Sequence, residues 1–223
     1  TAAIAGEMAA QQFDGNDQIF IPNSAVLDNA TQLTVEAVIN PTALGDLRIV
    51  EKLDNFTNFA GWSFEVLGNG GLMVTIGNDG GSPLFYQVQS VGGIVTAGEN
   101  QHVTFSYDDA TGDVRFYVDG VEHAVSTGTV PAGTLTATPT DITIGDSPAA
   151  QGQFSFNGTI GEVRIYDDIR TATEVAGDAA GGNTSDANLQ VRLDFDPANI
   201  SGHTVTNQGI LGMTGDATLG SGR

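Results

Sequence analysis

The sequence predicts an all-β fold, an antiparallel two-sheet β-sandwich, and three observations support this prediction. Short runs alternate apolar and polar side chains with a period of two, as Leu33, Val35 and Ala37 do within residues 31–40. Segments rich in Gly, Asn and Asp, such as residues 68–71, separate these runs and form turns, because Gly and Asn tolerate positive φ. A helix is predicted only at residues 171–177, with Thr171 or Thr173 as its cap.

The first half of the chain supplies six predicted strands. Residues 13–22 combine apolar positions with a polar, Gly-containing turn, and residues 31–40 alternate as a strand that packs on a core. Turns rich in Asp, Asn and Gly bound the next three strands, and the sixth, centred on Phe85 and Tyr86, gives a weaker signal. The third to sixth predicted strands are residues 48–53, 62–67, 72–76 and 84–91.

The second half supplies five more segments, one of which is a hairpin of two strands. Residues 101–108 alternate, and within residues 114–123 the dipeptide Asp119-Gly120 predicts a hairpin with a type I′ turn. Residues 142–145 form a short strand, and residues 154–166 form a long one in which two glycines indicate a bend or a close backbone approach. In the last strand, residues 189–196, the inward side chains are Leu189, Val191, Leu193 and Phe195, and the outward acids are Asp194 and Asp196.

Composition limits the classes of partner. The chain has 223 residues, of which 7 are basic and 27 acidic, and its formal charge of −20 excludes nucleic acid because it repels phosphates. No run approaches the ~18 apolar residues of a membrane span, so no membrane insertion is expected. The absence of cysteine excludes disulfides and thiolate metal sites. At this length we predict one domain, residues 1–223.

Residues 154–166 read Phe-Ser-Phe-Asn-Gly-Thr-Ile-Gly-Glu-Val-Arg-Ile-Tyr, and they resemble the closing strand of laminin-G-like, concanavalin A-like jelly rolls common in bacterial surface proteins. Other segments resemble this family in the same order, and the resemblance covers about residues 12–176. They include Phe13-Asp14-Gly15, Thr34-Val35-Glu36-Ala37, Val50-Glu51-Lys52, Gly61-Trp62-Ser63-Phe64, His102-Val103-Thr104-Phe105, Tyr117-Val118-Asp119-Gly120 and Ile144-Gly145. The resemblance implies a jelly roll with its core at 12–176 and a C-terminal tail, 187–220, packed onto it.

The chain departs from the family pattern at three places. Gly161 stands where the family usually has Asp, and Gln101 stands where it usually has Trp. In addition, the tail segment 193–197 resembles the stretch that in many relatives comes first in the domain. Two interpretations stay open: the tail supplies the usual first strand of a permuted domain, or it begins a second, truncated copy.

The resemblance implies a non-catalytic, calcium-assisted carbohydrate-binding module of a bacterial surface adhesin or secreted protein, located outside the cell. Its expected partners are a glycan or cell-surface polysaccharide and neighbouring domains of a larger protein. Trp62 either packs in the core or stacks on a sugar ring, and a hydrogen-bonded core role is expected for His102. The candidate ligand-binding residues are Asp54, Asn55, Phe56, Phe59, Tyr86 and Asp146.

The permuted arrangement brings the Phe-Asp-Gly turn near the acids of the tail. Acidic side chains without basic partners repel one another unless a cation lies among them, and calcium prefers oxygen ligands. The predicted calcium ligands are Asp14, Asn16, Asp17, Asp194 and Asp196. Chelation is then expected to lower the melting temperature, because an ion bound only to the folded state stabilises it.

Two further functions compete with glycan binding. The domain is a structural or protein-binding spacer if its rim is smooth, acidic and without an exposed aromatic side chain. It is a glycan-cleaving enzyme if two carboxylates, for which Glu36 and Glu65 are the candidates, face each other about 5–9 Å apart. No Glu-x-Asp-x-Glu or Gly-x-Ser-x-Gly pattern occurs, and the dispersed histidines exclude a His-x-x-x-His zinc site.

Overall fold

A computed structural model of the chain describes residues 9–28, 30–54, 57–182 and 186–220. It confirms the predicted all-β sandwich, since a seven-stranded and a ten-stranded antiparallel sheet pack face to face. The helices in these ranges are α1 (Ala25–Asp28) and α2 (Ala172–Ala179), besides short 3-10 turns at Pro148–Ala150, Pro197–Asn199 and Gly212–Gly215. None of these helices has the length and apolar character needed to cross a bilayer.

The described ranges contain 17 strands. They are β1 (Gln11–Asp14), β2 (Ile19–Ile21), β3 (Gln32–Pro41), β4 (Leu47–Leu53), β5 (Gly61–Val66), β6 (Leu72–Gly77), β7 (Phe85–Ser90), β8 (Gln101–Asp108), β9 (Asp113–Val118), β10 (Val121–His123), β11 (Val125–Thr127), β12 (Ile142–Ile144), β13 (Asn157–Tyr166), β14 (Leu189–Leu193), β15 (Ile200–Ser201), β16 (Thr204–Val205) and β17 (Ala217–Leu219).

The seven-stranded sheet has the order β1-β13-β3-β8-β9-β10, and β14 also pairs with β13. The ten-stranded sheet has the order β11-β7-β6-β5-β4-β12-β2-β17-β16-β15. Strands β4 to β7 are therefore neighbours in space as well as in sequence. Their outer face carries the candidate site described below.

The core lies between the two inner faces and follows the predicted alternation. Val35 and Phe105 contribute from one sheet and Phe64 from the other, and all three are fully buried. Each such side chain contributes roughly 1.5–3 kcal/mol to folding. Trp62 is buried too, with its ring edge-on to Phe105 at a centroid distance of 5.7 Å. Of the two roles considered for Trp62, the core role is the one in the structure.

Two local predictions are confirmed at the turns. Asp119 and Gly120 have φ values of 50° and 76° and connect β9 to β10 as a tight hairpin, as the Asp-Gly dipeptide predicts. Helix α2 begins at Ala172 behind the N-cap Thr171, whose side chain accepts a hydrogen bond from the Glu174 backbone N–H. The Glu174 carboxylate accepts in turn from the Thr171 N–H, which completes a capping box.

The tail adds strands to both sheets. Strand β14 pairs with the second half of β13, in line with β1, which pairs with the first half, so the tail supplies a strand beside the closing strand. The predicted strand 189–196 is too long, however. It ends at Leu193, because Phe195 turns into the core with φ 52°. Asp194 and Asp196 therefore lie in a turn and not on the outward face of a strand.

Candidate functional site

The outer face of the ten-stranded sheet carries an open groove of about 490 Å³ across strands β4 to β7. Side chains from the four strands form its floor, and loop residues form its walls. The floor residues are Arg48, Leu53, Ser63, Glu65, Met73, Thr75, Phe85, Gln87 and Gln89. The walls come from Asp46, Phe59, Leu67, Gln153 and Phe154.

Strand register arranges the floor as two parallel rows that cross all four strands. One row runs Glu51, Ser63, Thr75, Gln87, and the other runs Arg48, Glu65, Met73, Gln89. The residues between them, such as Phe64 and Val74, point into the core. The period of two thus separates an apolar inner face from a polar outer face on these strands.

A register shift between Arg48 and Val50 determines the charge of the floor. In a regular strand, residues three apart point to opposite faces, but here Arg48 and Glu51 both reach the outer face while Ile49 and Val50 are buried in the core. The Arg48 Nε lies 3.0 Å from Glu51 Oε2, and its Nη1 lies 3.2 Å from Glu65 Oε1. One guanidinium therefore bridges two carboxylates.

Burial shifts the protonation of both carboxylates. Desolvation raises the pKa of Glu51 to about 7, although Arg48 and a hydrogen bond from the Ser147 hydroxyl oppose the shift. Desolvation likewise raises the pKa of Glu65, against the opposing charge of Arg48. Glu51 therefore exchanges its proton near neutral pH, directly beneath the floor.

Aromatic rings stand at two sides of the groove. The Phe59 and Phe85 rings contact each other at 4.6 Å between centroids, and Phe59 holds the left-handed φ of 56°. On the other side, the Phe154 ring lies over the Arg48 guanidinium, 5.1 Å from its centre. The Phe154 carbonyl accepts a hydrogen bond of 2.7 Å from the Arg48 N–H, which fixes this wall to β4.

The six predicted ligand-binding residues do not share one site. Phe59 lines the groove, whereas Asn55 and Phe56 lie outside the described residues. Tyr86 lies on the core-facing side of β7, opposite Gln87, and packs against the core. Asp54 accepts a hydrogen bond from the Ala60 N–H and lines a separate hollow.

Asp146, the sixth of them, is buried and lies in a polar hollow with Asn16 and Gln18. Its carboxylate accepts hydrogen bonds from the N–H groups of Ser147 and Gly152 and from the Gln18 amide. These bonds hold the loop after β12 in place. Asp146 therefore does not line the groove itself, but it stabilises the loop that leads to the wall residues Gln153 and Phe154.

The predicted calcium ligands fall into two groups. Asp14 and Asp17 are together, since the Asp14 N–H donates to Asp17 Oδ2 at 3.0 Å. Asp194 accepts from the side chains of Asn199 and Gln208, and Asp196 accepts from the Ala198 N–H. In the described ranges, no group of three or more His, Cys, Asp or Glu side chains is placed to hold a metal.

Strand pairing explains this separation. Asp14 lies opposite Asn157, whereas Leu193, just before Asp194, lies opposite Val163. At ~3.3 Å per residue, these positions on β13 are roughly 20 Å apart. The five residues do not fit one cation in this arrangement, and a calcium requirement stays a prediction.

The carboxylates proposed for glycan cleavage are also separated. Glu36 lies on β3 in the seven-stranded sheet, where it contacts His102 Nε2 at 3.4 Å, and Glu65 lies on β5 in the other sheet. The two point to opposite outer faces, so the predicted pair is wrong. His102 is buried beside Glu36 on the outer side of the seven-stranded sheet and not in the core between the sheets, so its hydrogen-bonded core role stays a prediction.

Sequence reasoning missed most of the groove. The sequence signal that identifies it is a row of polar side chains that point outward from three successive strands. Ser63, Thr75 and Gln87 occupy matching positions in this row. The role of Arg48 has no such signal, because it depends on the register shift in β4. Phe154 was assigned to the closing strand, but it precedes β13 and forms a wall.

Known sequences give one family match. The family model of the concanavalin A-like lectin/glucanases superfamily matches residues 13–176, which is more than half of the chain. This range agrees with the extent of the resemblance noted from the motifs. Among curated proteins, none matches this chain.

Solved structures share the fold at low sequence identity. A Bacteroides ovatus protein described as a putative carbohydrate-binding protein aligns at TM-score 0.69 and 20% identity, over 96% of this chain and 58% of its own. The CBM40 of a Ruminococcus gnavus IT-sialidase, solved with α2,3-sialyllactose, aligns at TM-score 0.59 and 14% identity, over 77% and 96%. The NanB sialidase of Streptococcus pneumoniae aligns at 0.57 and 15%, over 75% and 27%.

Proposed function

The chain belongs to the concanavalin A-like lectin/glucanase superfamily, and from its groove we propose that it is a non-catalytic carbohydrate-binding module. The ligand occupies the groove across β4 to β7. We further propose that the module acts outside a bacterial cell, as part of an adhesin or secreted protein. The composition, which is acidic, free of cysteine and rich in Gly, Thr, Asp and Asn, resembles that of secreted and surface proteins of bacteria and supports this location.

One observation carries the proposal: an open polar floor lies between aromatic walls. Sugar rings have apolar faces that stack on aromatic side chains, and hydroxyl groups that pair with amides and carboxylates. Phe154 offers such a ring, and the amides of Gln87 and Gln89 offer donors and acceptors. The Gln87 amide contacts Thr75 Oγ1 at the long distance of 3.4 Å, and the Gln89 amide contacts Met73 Sδ, which is a weak acceptor, so a ligand hydroxyl can replace both contacts.

Structural neighbours support the same class of ligand. The Bacteroides ovatus protein is described as a putative carbohydrate-binding protein, and the Ruminococcus gnavus module was solved with bound sialyllactose. This chain spans 58% of the length of the Bacteroides ovatus chain. Neighbouring domains in a longer protein are accordingly part of the proposal.

A glycan array with the purified chain tests the proposal, and the Phe154→Ala variant tests the site. We expect binding to at least one glycan and a loss of about five- to tenfold in affinity when the ring is removed, since a stacking contact contributes roughly 1 kcal/mol or more. Gln32→Ala, at an exposed position on the seven-stranded sheet, is the control and retains full affinity. Absence of binding to every glycan, with and without calcium, contradicts the proposal.

The spacer hypothesis is less well supported, because the half-buried rings of Phe59, Phe85 and Phe154 reach the groove. Glycan cleavage is the second candidate, and one observation favours it: Glu51 and Glu65 flank Arg48 on one face, and Glu51 has a pKa of about 7. Both carboxylates are at most 2% exposed, however. Release of reducing sugar from the bound glycan, abolished in Glu51→Gln, identifies an enzyme; no release supports the binding module.

A further inference from the structure

From the charges around the groove, we infer that it selects uncharged or amine-bearing sugars and discriminates against glycans with carboxylate or sulfate groups. This inference rests on the proposed function and specifies its ligand. It follows from three observations: the sign of the charge at the floor, the engagement of the one cation there, and the positions of the other basic residues.

The groove is negative. Asp46 and Glu65 line it, Glu51 lies beneath it, and Arg48 is the one basic side chain among the described residues that line it. Three carboxylates against one guanidinium leave a formal charge of −2. With Glu51 protonated, Asp46 and Glu65 against Arg48 leave a formal charge of −1, and with Glu65 protonated as well the count is zero, so the groove becomes positive in none of these states.

The cation is already engaged. Arg48 is 4% exposed, with Glu51 at 3.0 Å and Glu65 at 3.2 Å, and the Phe154 ring covers its guanidinium. An acidic sugar reaches this charge only by displacing a buried carboxylate. Leaving a buried carboxylate without its partner is strongly unfavourable, so the exchange does not favour the acid.

The other described basic residues lie elsewhere. Lys52 is buried against Asp28 at 2.8 Å. Arg115 is on β9, Arg164 on β13 and Arg192 on β14, all in the seven-stranded sheet, while Arg170 pairs with Asp178 of α2. No second cation in the described ranges therefore offsets the negative groove, and the chain as a whole carries −20.

The contact groups fit a neutral ligand. The side chains that a ligand meets first are amides and rings: Gln87 is exposed, Gln89 and Phe154 are partly exposed, and Gln153 is exposed at the wall. Amides pair with hydroxyls without a charge requirement. Sialyllactose, the ligand in the similar Ruminococcus gnavus module, carries a carboxylate. The shared fold therefore does not imply a shared ligand charge.

The test is an array of glycan pairs in which both members share one backbone. One member is neutral, and the other is acidic, either because C6 is oxidised to a carboxylate or because it carries sulfate. Chitin and chitosan oligomers form the amine pair. We expect the neutral member to bind at least tenfold more tightly than its acidic partner, and the amine member at least as tightly as its acetylated partner. Equal or tighter binding of the acidic member overturns the inference but leaves the proposed function standing. Absence of binding to all members overturns both.

A variant separates electrostatics from shape. Asp46→Asn removes a charge from the exposed rim without touching the buried ion pairs, and at low salt it is expected to reduce the neutral-to-acidic ratio about threefold. Asp113→Asn, an exposed acid on β9 of the other sheet, is the matched control and leaves the ratio unchanged. An equal ratio in wild type and Asp46→Asn overturns the electrostatic basis of the inference.

Discussion

The outer faces of the two sheets carry similar buried charges and differ in what covers them. On the ten-stranded sheet, Arg48, Glu51 and Glu65 lie under an open groove. On the seven-stranded sheet, Arg164 lies under helix α2, whose Asp178 contacts it at 2.8 Å. One network lies at the floor of an open groove, and the other lies beneath a helix.

The covered network is tied together by the helix. Asp178 contacts Arg164 Nη1 with one carboxylate oxygen and Arg170 Nη2 with the other, at 2.8 and 3.0 Å. Arg164 also contacts Glu162 at 2.8 Å, and the Arg170 guanidinium lies 4.3 Å from the centre of the Tyr166 ring. The side chain of Asp178 has no exposure to solvent.

The difference teaches that a buried charge does not by itself mark a binding site. Beneath α2, the charges attach a helix to a sheet, and no ligand is needed to explain them. In the groove, the same kinds of side chain face a space that the protein leaves open. The cover, and not the charge, distinguishes a structural network from a candidate site.

The largest expected effect comes from breaking the covered network. Asp178→Ala leaves Arg164 and Arg170 without their shared partner, and we expect the free energy of unfolding to fall by about 3–5 kcal/mol. Urea denaturation measures it, with Asp113→Ala on the same sheet as the exposed control. A loss below about 1 kcal/mol contradicts a structural role for this network.

A smaller effect is expected at Glu51, whose buried carboxylate lowers the stability of the fold where the Asp178 carboxylate raises it. Burial raises its pKa from 4.5 to about 7, so between these pH values the folded state holds a proton that the unfolded state has lost. The folded state is therefore most favoured by this group at low pH, and stability falls as pH rises from 4.5 to 7, by about 2–3 kcal/mol.

Glu51→Gln removes the titrating carboxyl group. The decrease in unfolding free energy between pH 4.5 and 7 therefore becomes about 2 kcal/mol smaller than in wild type. Thermal or urea unfolding across this range measures it, and Glu122→Gln, an exposed acid on β10, is the control. Identical pH profiles for wild type and Glu51→Gln contradict the raised pKa. A smaller decrease in the variant shows that the network in the groove lowers the free energy of unfolding at neutral pH, whereas the network beneath α2 raises it.

The smallest effect is expected from chelation. The five predicted calcium ligands form two groups, and Asp194 and Asp196 accept hydrogen bonds from nearby protein groups. If these contacts account for all five side chains, the Tm in excess chelator agrees with that in excess calcium within about 1 °C. The calcium hypothesis predicts a clear decrease on chelation, because an ion bound to the folded state stabilises it. Differential scanning calorimetry distinguishes the two.

Periodicity predicted the fold well because burial enforces it. Alternating residues such as Leu33 and Val35 must face the core, and the Asp119-Gly120 hairpin follows from local backbone preferences. The motifs also indicated that the tail packs beside the closing strand, where β14 pairs with β13.

The candidate site was harder to predict, because it depends on exceptions to periodicity. The register shift in β4 places Arg48 and Glu51 on one face, and a strict period of two separates them. The predicted calcium site failed to assemble in the structure for a similar reason. Strands β1 and β14 lie end to end along β13, so Asp14 and Asp194 share a strand edge and not a location.

The most direct test of the account locates the ligand. A ¹⁵N NMR titration with a glycan identified on the array follows the backbone amides and the side-chain amides of Gln87 and Gln89. If the ligand occupies the groove, shift changes are confined to β4–β7 and the wall at Phe154, with none on β3, β8 or β13. Changes that cluster on the seven-stranded sheet or on the tail contradict this placement.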